Sequence, residues 1–214
     1  MCNGLYNRTG IMPQIMHQFS TKNLAKAEFM MGLAFAIAKS TNIDQHLHVQ
    51  GMLAELIQYA EFCRACLRAS EADAAPGPAG VMTPAAMPLW TMRMMFPKMV
   101  RTCEIIQILG AGGLVAVPSY AELDGPAAAD VATYFQAANA DAATRIKLFR
   151  LAFDAVVSSF SGRQQLYERY YFGDPVRLAG TLYGLYDKET YTDRIVTMLD
   201  ELEAHHPPPV EEEG

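Results

Sequence analysis

Apolar residues recur at three- and four-residue steps along most of this chain, the period of one face of an α-helix. Leu24, Ala27, Met31, Phe35 and Ala38 mark a first helix over about 14–41, stopped at Asn42. Asp44 is read as the N-cap of a second helix over about 45–73, with Val49, Met52, Leu53, Leu56, Ile57, Ala60, Cys63 and Leu67 on one face. Ala74 to Pro84 reads as a flexible link. A short helix near 85–94 follows. Phe96-Pro97 opens a third long helix that carries Met99, Cys103 and Ile106 and stops at Gly110. Ser119 caps a short turn and Pro126 opens a short helix. Asp141 caps a fourth long helix over about 141–161, with the stripe Ile146, Phe149, Phe153, Val156 and Phe160, broken at Gly162. Helix resumes over 163–171, Gly173-Asp174-Pro175 interrupts it, and two more helices cover about 176–186 and 190–204.

No strand-like alternation is visible. The expected fold is therefore all-α: a four-helix bundle, roughly 30–40 Å tall, with extra short helices at its C-terminal end. Residues 1–13, broken by Asn3-Gly4, Asn7, Gly10 and Pro13, read as a linker remnant; residues 14–204 form the bundle domain; residues 205–214, with Pro207-Pro208-Pro209 and Glu211-Glu212-Glu213, read as a disordered acidic tail.

Composition narrows the function classes. With 51% hydrophobic and 19% charged residues, the 214-residue chain has ample material for a core. A net charge of −6 and no basic stripe argue against nucleic acid. No apolar run approaches the ~20 residues of a membrane span, and the N-terminus carries no secretory pattern. A soluble, cytoplasmic protein is expected, with its four cysteines, Cys2, Cys63, Cys66 and Cys103, as reduced thiols.

Two stretches stand out chemically. In Ile108-Leu109-Gly110-Ala111-Gly112-Gly113-Leu114, three glycines within four residues allow positive φ and close approach of another object. That object is either a ligand's phosphates or a neighbouring helix; both readings stand. No strand precedes it, so it is not a dinucleotide fingerprint. The run Arg163 to Arg177 is dense in aromatic, arginine and amide groups, which suits a stacked or anionic partner or an aromatic core patch with ion pairs. Cys63-Arg64-Ala65-Cys66 lacks a second ligand pair, and His46 and His48 lie about four turns away, so core cysteines are the better reading. His17 reads as a satisfied structural residue. No carboxylate pair or Ser/His/Asp arrangement stands out.

Five stretches in order carry a family resemblance. They are Met16-His17-Gln18 with Lys22 to Phe29; Leu67 to Ala74; Gln107 to Leu114; Tyr134 to Asp141; and Gly162-Arg163-Gln164 through Tyr167-Glu168-Arg169 to Arg177. Together they resemble the C-terminal half of the 4-hydroxyphenylacetate 3-hydroxylase (oxygenase component) family, over nearly the whole chain except the tail. The resemblance implies a bundle of the acyl-CoA dehydrogenase C-terminal type. It implies reduced FAD, delivered by a separate flavin reductase, as the cofactor for hydroxylating a phenol ortho to its hydroxyl with O2. It implies a homo-oligomer, dimer or tetramer, formed through the bundle. The flavin contacts carried over are Gln107, Gly110, Gly112 and Gly113, at the cofactor's diphosphate or adenosine portion, and Phe172, Gly173, Asp174 and Pro175 in a second turn.

The family's phenol- and flavin-ring-binding residues lie in parts that these 214 residues do not match, so no catalytic residue is assigned. The expectation is a flavin- and subunit-binding domain that is incomplete for catalysis alone, with a separately encoded N-terminal half as one possible partner. One bundle with an open loop holds only the outer part of the cofactor. Two alternatives remain: a non-catalytic oligomerisation or scaffold bundle, and a relative of 4-hydroxybutyryl-CoA dehydratase, which needs an iron–sulfur ligand set not found in the sequence.

Overall fold

The computed structural model describes residue 4, residues 9–78 and residues 80–205. The expected acidic tail, except His205, and most of the expected linker lie outside the described residues. The chain divides into two units, Met1–Pro175 and Val176–Gly214.

In the first unit, α1 (Ile11–Ser40) and α2 (Leu47–Ala72) are the long helices. They run antiparallel, pinned by His17 Nε2 at 2.8 Å from Glu71 Oε1 and by Arg64 Nη2 donating to Glu28 Oε1 at 2.6 Å. Then come α3 (Ala86–Met95), a 3-10 turn (Phe96–Val100), α4 (Arg101–Gly110), α5 (Gly113–Ala116), a 3-10 turn (Tyr120–Leu123), α6 (Ala128–Tyr134), α7 (Ala142–Val156) and α8 (Ser159–Tyr170). The core is shared by four helices: Leu33 and Ile37 of α1, Val49 and Leu56 of α2, Ile105 and Ile106 of α4, and Ile146 and Phe149 of α7. Each such buried side chain contributes about 1.5–3 kcal/mol. A second cluster joins Phe19, Cys63, Cys66, Met92, Phe96 and Met99, with Phe172 packed against it.

The all-helical bundle is as expected, with several local corrections. α1 begins at Ile11, inside the expected linker, because Gly10 turns the chain at φ 72 and Pro13 sits in the first turn, where no backbone donor is needed. Its buried face carries Leu33, Ala34 and Ile37, while Phe35 points outward. Asp44 is not a cap: α2 starts after His46, with no side-chain cap bond. The expected flexible link contains a two-residue hairpin, Ala75–Pro76 against Met82–Thr83, closed by Gly77 N–H donating to Val81 O at 2.9 Å. The third helix is split, its first part a 3-10 turn. Ser119 stands at a turn N-cap but makes no side-chain bond, and the helix expected at Pro126 starts at Ala128.

Asp141 does cap α7, accepting from Thr144 N–H at 2.7 Å. The break expected at Gly162 falls earlier, at Val157-Ser158. There Ser158 Oγ donates to Asp154 O and accepts from Ser161 N–H, so its side chain ends one helix and caps the next. Gly162 lies inside α8, and Phe160 is exposed rather than in the core.

The second unit is a helical pair, with α9 (Pro175–Leu185) running into it and α10 (Glu189–His205) inside it. Lys188 Nζ donates to Tyr183 O and Tyr186 O at 2.9 and 3.1 Å, closing the turn. Tyr183, Leu185, Ile195, Leu199 and Leu202 are all exposed by half or more.

Candidate functional site

The glycine turn ends α4. Sequence reasoning expects its glycines to take positive φ, but the residue that does so is Ala111, at φ 45 and ψ −143. Gly110 and Gly113 serve packing instead. A β-carbon on Gly110 would lie 2.5 Å from Leu114 Cγ, and one on Gly113 would lie 2.8 Å from Phe149 Cε1. Gly112 faces open space with φ −59. Both readings of this stretch therefore have a residue to stand on: two glycines make close internal contacts, and one leaves the backbone open. Gln107 donates through Nε2 to Val156 O at 2.6 Å, tying α4 to the end of α7.

Sequence reasoning missed the residues that gather around this turn. Arg145 of α7 lies against it: Nη2 is 3.5 Å from where a Gly113 β-carbon would be. Its Nη1 donates to Gln136 O at 3.2 Å, and its Cζ is 5.1 Å from the Phe149 ring centroid. The loop that holds Gln136 is itself fastened to the α1–α2 connection. Asn139 N–H donates to Ser40 O at 2.9 Å, and its Nδ2 reaches Lys39 O at 3.0 Å and Asn42 Oδ1 at 3.3 Å. Asn42 is held at φ 58. The only sequence signal for this assembly was that Tyr134 to Asp141 is one of the family-like stretches.

The second turn is built differently. Gly173 takes φ 103, the left-handed conformation that glycine allows. Phe172 is packed inward: its ring meets Phe19 edge-on at 4.0 Å, and Arg93 Cζ is 4.5 Å from its centroid. Arg93 Nη2 donates to Phe172 O at 2.9 Å, and burial lowers the guanidinium's pKa. Asp174 makes contacts of its own. Pro175 lines an open groove with Lys98, Arg101, Glu104, Arg169 and Tyr170. Arg101 begins α4 and Gly110 ends it, so the two turns sit near opposite ends of a helix about 14 Å long. The structure does not bring them into one site.

The dense run between Arg163 and Arg177 holds one buried charge. Glu168, 5% exposed, accepts from Lys22 Nζ at 2.9 Å and from Lys26 Nζ at 2.8 Å. Lys22 Nζ also stands 4.5 Å from the Phe19 ring centroid. Lys26, Tyr59, Gln165 and Glu168 line a small, mostly apolar cavity of about 40 Å³, room for a few waters. Tyr59 donates to Glu55, and burial first, then that bond, pushes its phenol up to about 12.

Cys63 and Cys66 are core residues, as expected. Cys63 Sγ lies 3.8 Å from Met99 Sδ, and burial pushes its thiol up to about 12. Among the described residues, no group of three or more His, Cys, Asp or Glu side chains could hold a metal, and no helix is long and apolar enough to cross a membrane.

This arrangement, a four-helix core with a glycine turn ending one helix and a fastened loop beside it, is the acyl-CoA dehydrogenase-like helical fold. The family described as "4-hydroxyphenylacetate 3-hydroxylase C terminal" matches residues 2–200, and the chain belongs to it. It is 38% identical over 202 residues to the 4-hydroxyphenylacetate 3-monooxygenase oxygenase component of Thermus thermophilus, covering 94% of this chain and 42% of that one. It is 39% identical over 184 residues to a probable 4-hydroxyphenylacetate 3-monooxygenase of Bacillus subtilis, covering 86% of this chain and 38% of the relative. A solved oxygenase component complexed with FAD and 4-hydroxyphenylacetate superposes with a TM-score of 0.91 at 38% identity, over 96% of this chain and 44% of that one. An archaeal 4-hydroxybutyryl-CoA dehydratase shares the fold, with a TM-score of 0.71 at 17% identity over 90% of this chain and 38% of that one. The chain thus spans less than half the length of these relatives.

Proposed function

We propose that this chain is the flavin- and subunit-binding domain of a reduced-FAD-dependent aromatic monooxygenase that works on 4-hydroxyphenylacetate or a similar phenol. The observation that carries the reading is the glycine turn. Ala111 is held in a backbone region nearly reserved for glycine, at an end of the bundle where a loop and an arginine converge. Such strain costs about 1–3 kcal/mol and gathers where ligands are clamped. The fit is physical as well: exposed backbone at Gly112 and a nearby guanidinium suit the anionic, outer part of FAD. The relatives' names and the FAD-bound structures support the same reading.

In this reading FAD, reduced by a separate flavin reductase, supplies the chemistry that activates O2. The chain's own residues bind and orient. Gln107, Gly110, Gly112 and Gly113 form the turn that takes the outer cofactor, and Phe172, Gly173, Asp174 and Pro175 form a second contact. Because the two turns lie apart on one protomer, the second contact reaches a different part of the cofactor or a different protomer's cofactor. The exposed apolar side chains of α9 and α10 suit a homo-oligomer. The test is direct: FAD titrated into the chain should bind, while reduced FAD, 4-hydroxyphenylacetate and O2 with the chain alone should give no catechol product. Absent FAD binding, or robust turnover, overturns the proposal.

A scaffold bundle without flavin is the second reading. It is favoured by Gln107, whose amide already bonds Val156 O, and by the packing of Gly110 and Gly113. Clean self-association without flavin binding would select it.

A further inference from the structure

Two glycines of the long helices face nothing inside the chain. Gly32 lies inside α1 and Gly51 near the start of α2, and a β-carbon on either would meet open space. Glycine weakens a helix interior relative to alanine, and here no contact within the described residues uses the missing side chain. Both sit on one outward surface. On α1 that surface carries Phe29, Gly32, Phe35 and Ala36, and on α2 it carries Gly51, Ala54 and Ile57, all exposed. Arg64 of α2 bonds both Glu28 of α1 and Glu61 of its own helix, so the exposed edges of the two helices meet. The face runs about 17 Å along two helices roughly 10 Å apart, an apolar area on the order of 300 Å², the size that marks an interaction surface.

The two ends of this face differ in charge. Glu28 and Glu61 share Arg64 at one end, which leaves one negative charge there. Lys39 on α1 and the stacked His46 and His48 on α2 stand at the other. Along the helices between these ends the one charged residue is Glu55, which bonds Tyr59 and turns toward Arg101 of α4.

Laid face to face on a second copy, about a twofold axis that crosses both helices, this surface complements itself. Each α1 then runs antiparallel to its counterpart, with Glu28 opposite the partner's Lys39. The same register sets Phe35 over the partner's Gly32, since each stands four residues in from the charge at its end. On α2 it brings Ile57 over the partner's Gly51 and Ala54 against its own copy. One register therefore joins opposite charges and seats a large side chain on each glycine. Such self-complementary contacts close the commonest assemblies.

We propose that the α1–α2 face is a homodimer interface, with the two hairpins packed antiparallel and Phe35 seated on the partner's Gly32. The face belongs to the first unit, not to α9 or α10, and the pairing does not depend on flavin binding.

The test combines sedimentation of the full chain with disulfide trapping. Under mild oxidation A54C should give a disulfide-linked dimer, because Ala54 sits at the axis. A65C, about 30 Å from its own copy in this register, should not. G32L should keep its helical content and lose about 10-fold or more in self-association, since a leucine fills the seat of Phe35. K39E should weaken association to a similar degree, and adding E28K should restore it. Where G32L proves unfolded, the A54C and K39E results decide. A chain that stays monomeric, an A54C variant that does not cross-link, or a folded G32L that associates normally each overturns the proposal. A monomer would leave the face to the part of the relatives that this chain does not span. FAD binding by the same chain, or its absence, moves none of these results.

Discussion

Phe149 lies directly over Gly113, so closely that a β-carbon there would come within 2.8 Å of its ring. Phe149 is in the core and cannot swing aside. Gly113→Ala should therefore destabilise the fold by about 1–3 kcal/mol, despite alanine's better helix propensity. Gly112→Ala, with open space and φ −59, should be neutral or slightly stabilising. Denaturant unfolding of both variants checks this; equal midpoints would show that the turn is looser than described.

Ala111 gives the opposite expectation. At φ 45 and ψ −143 it holds a conformation that a β-carbon opposes. Ala111→Gly should raise stability by about 1 kcal/mol or more, even though glycine gains more freedom in the unfolded chain. A lowered melting point would refute the strain.

Glu168 is a buried carboxylate with two ammonium partners. Glu168→Gln leaves both lysines without their counter-charge. Because Lys22 and Lys26 are each about a third exposed, water compensates part of the loss. The expected cost is about 1–3 kcal/mol, below the range for a fully buried pair. A double-mutant cycle with Lys26→Met measures the coupling, and a value near zero would mean the pairing adds nothing.

Alkaline pH should weaken the fold. Burial holds the proton on Cys63 up to about 12, against an ordinary thiol value of 9.0. Burial and the Glu55 bond raise Tyr59 in the same direction. A raised folded pKa means stability that is intact below the unfolded value and drains as pH climbs toward the folded one. Urea unfolding at about pH 8 and about pH 10.5 should show the loss, at most about 1.4 kcal/mol per pH unit from Cys63. Cys63→Ala should flatten the slope; an unchanged slope would assign the loss to other groups.

Long, periodic helices were legible because their period repeats many times. α2 was read to within a few residues; of the two aspartates that precede apolar runs, Asp141 caps its helix through Thr144 N–H, while Asp44 lies two residues ahead of the N-cap position, which His46 fills. The hairpin at Ala75–Thr83 was not legible, since its pairing is only two residues long and lies among prolines and glycines. The break at Val157-Ser158 was missed because a serine side chain makes it, while Gly162 is tolerated inside a helix. At the candidate site, the glycine cluster gave the place but not the roles. Which residue takes positive φ depends on what Leu114 and Phe149 need beneath them, and those contacts are set by packing. Arg145 was invisible for the same reason, since it reaches the turn from another helix.

The Lys22–Lys26–Glu168 triad has a further consequence. Lys22 and Lys26 are one turn apart on α1, and both end on a single carboxylate of α8. A slip of α8 by one turn would move it about 5.4 Å, and its aromatic residues Phe160, Tyr167 and Tyr170 are too exposed to oppose that strongly. It would also strand a buried carboxylate and free two ammonium groups. The triad therefore acts as a detent that gives α8 one seat along the bundle.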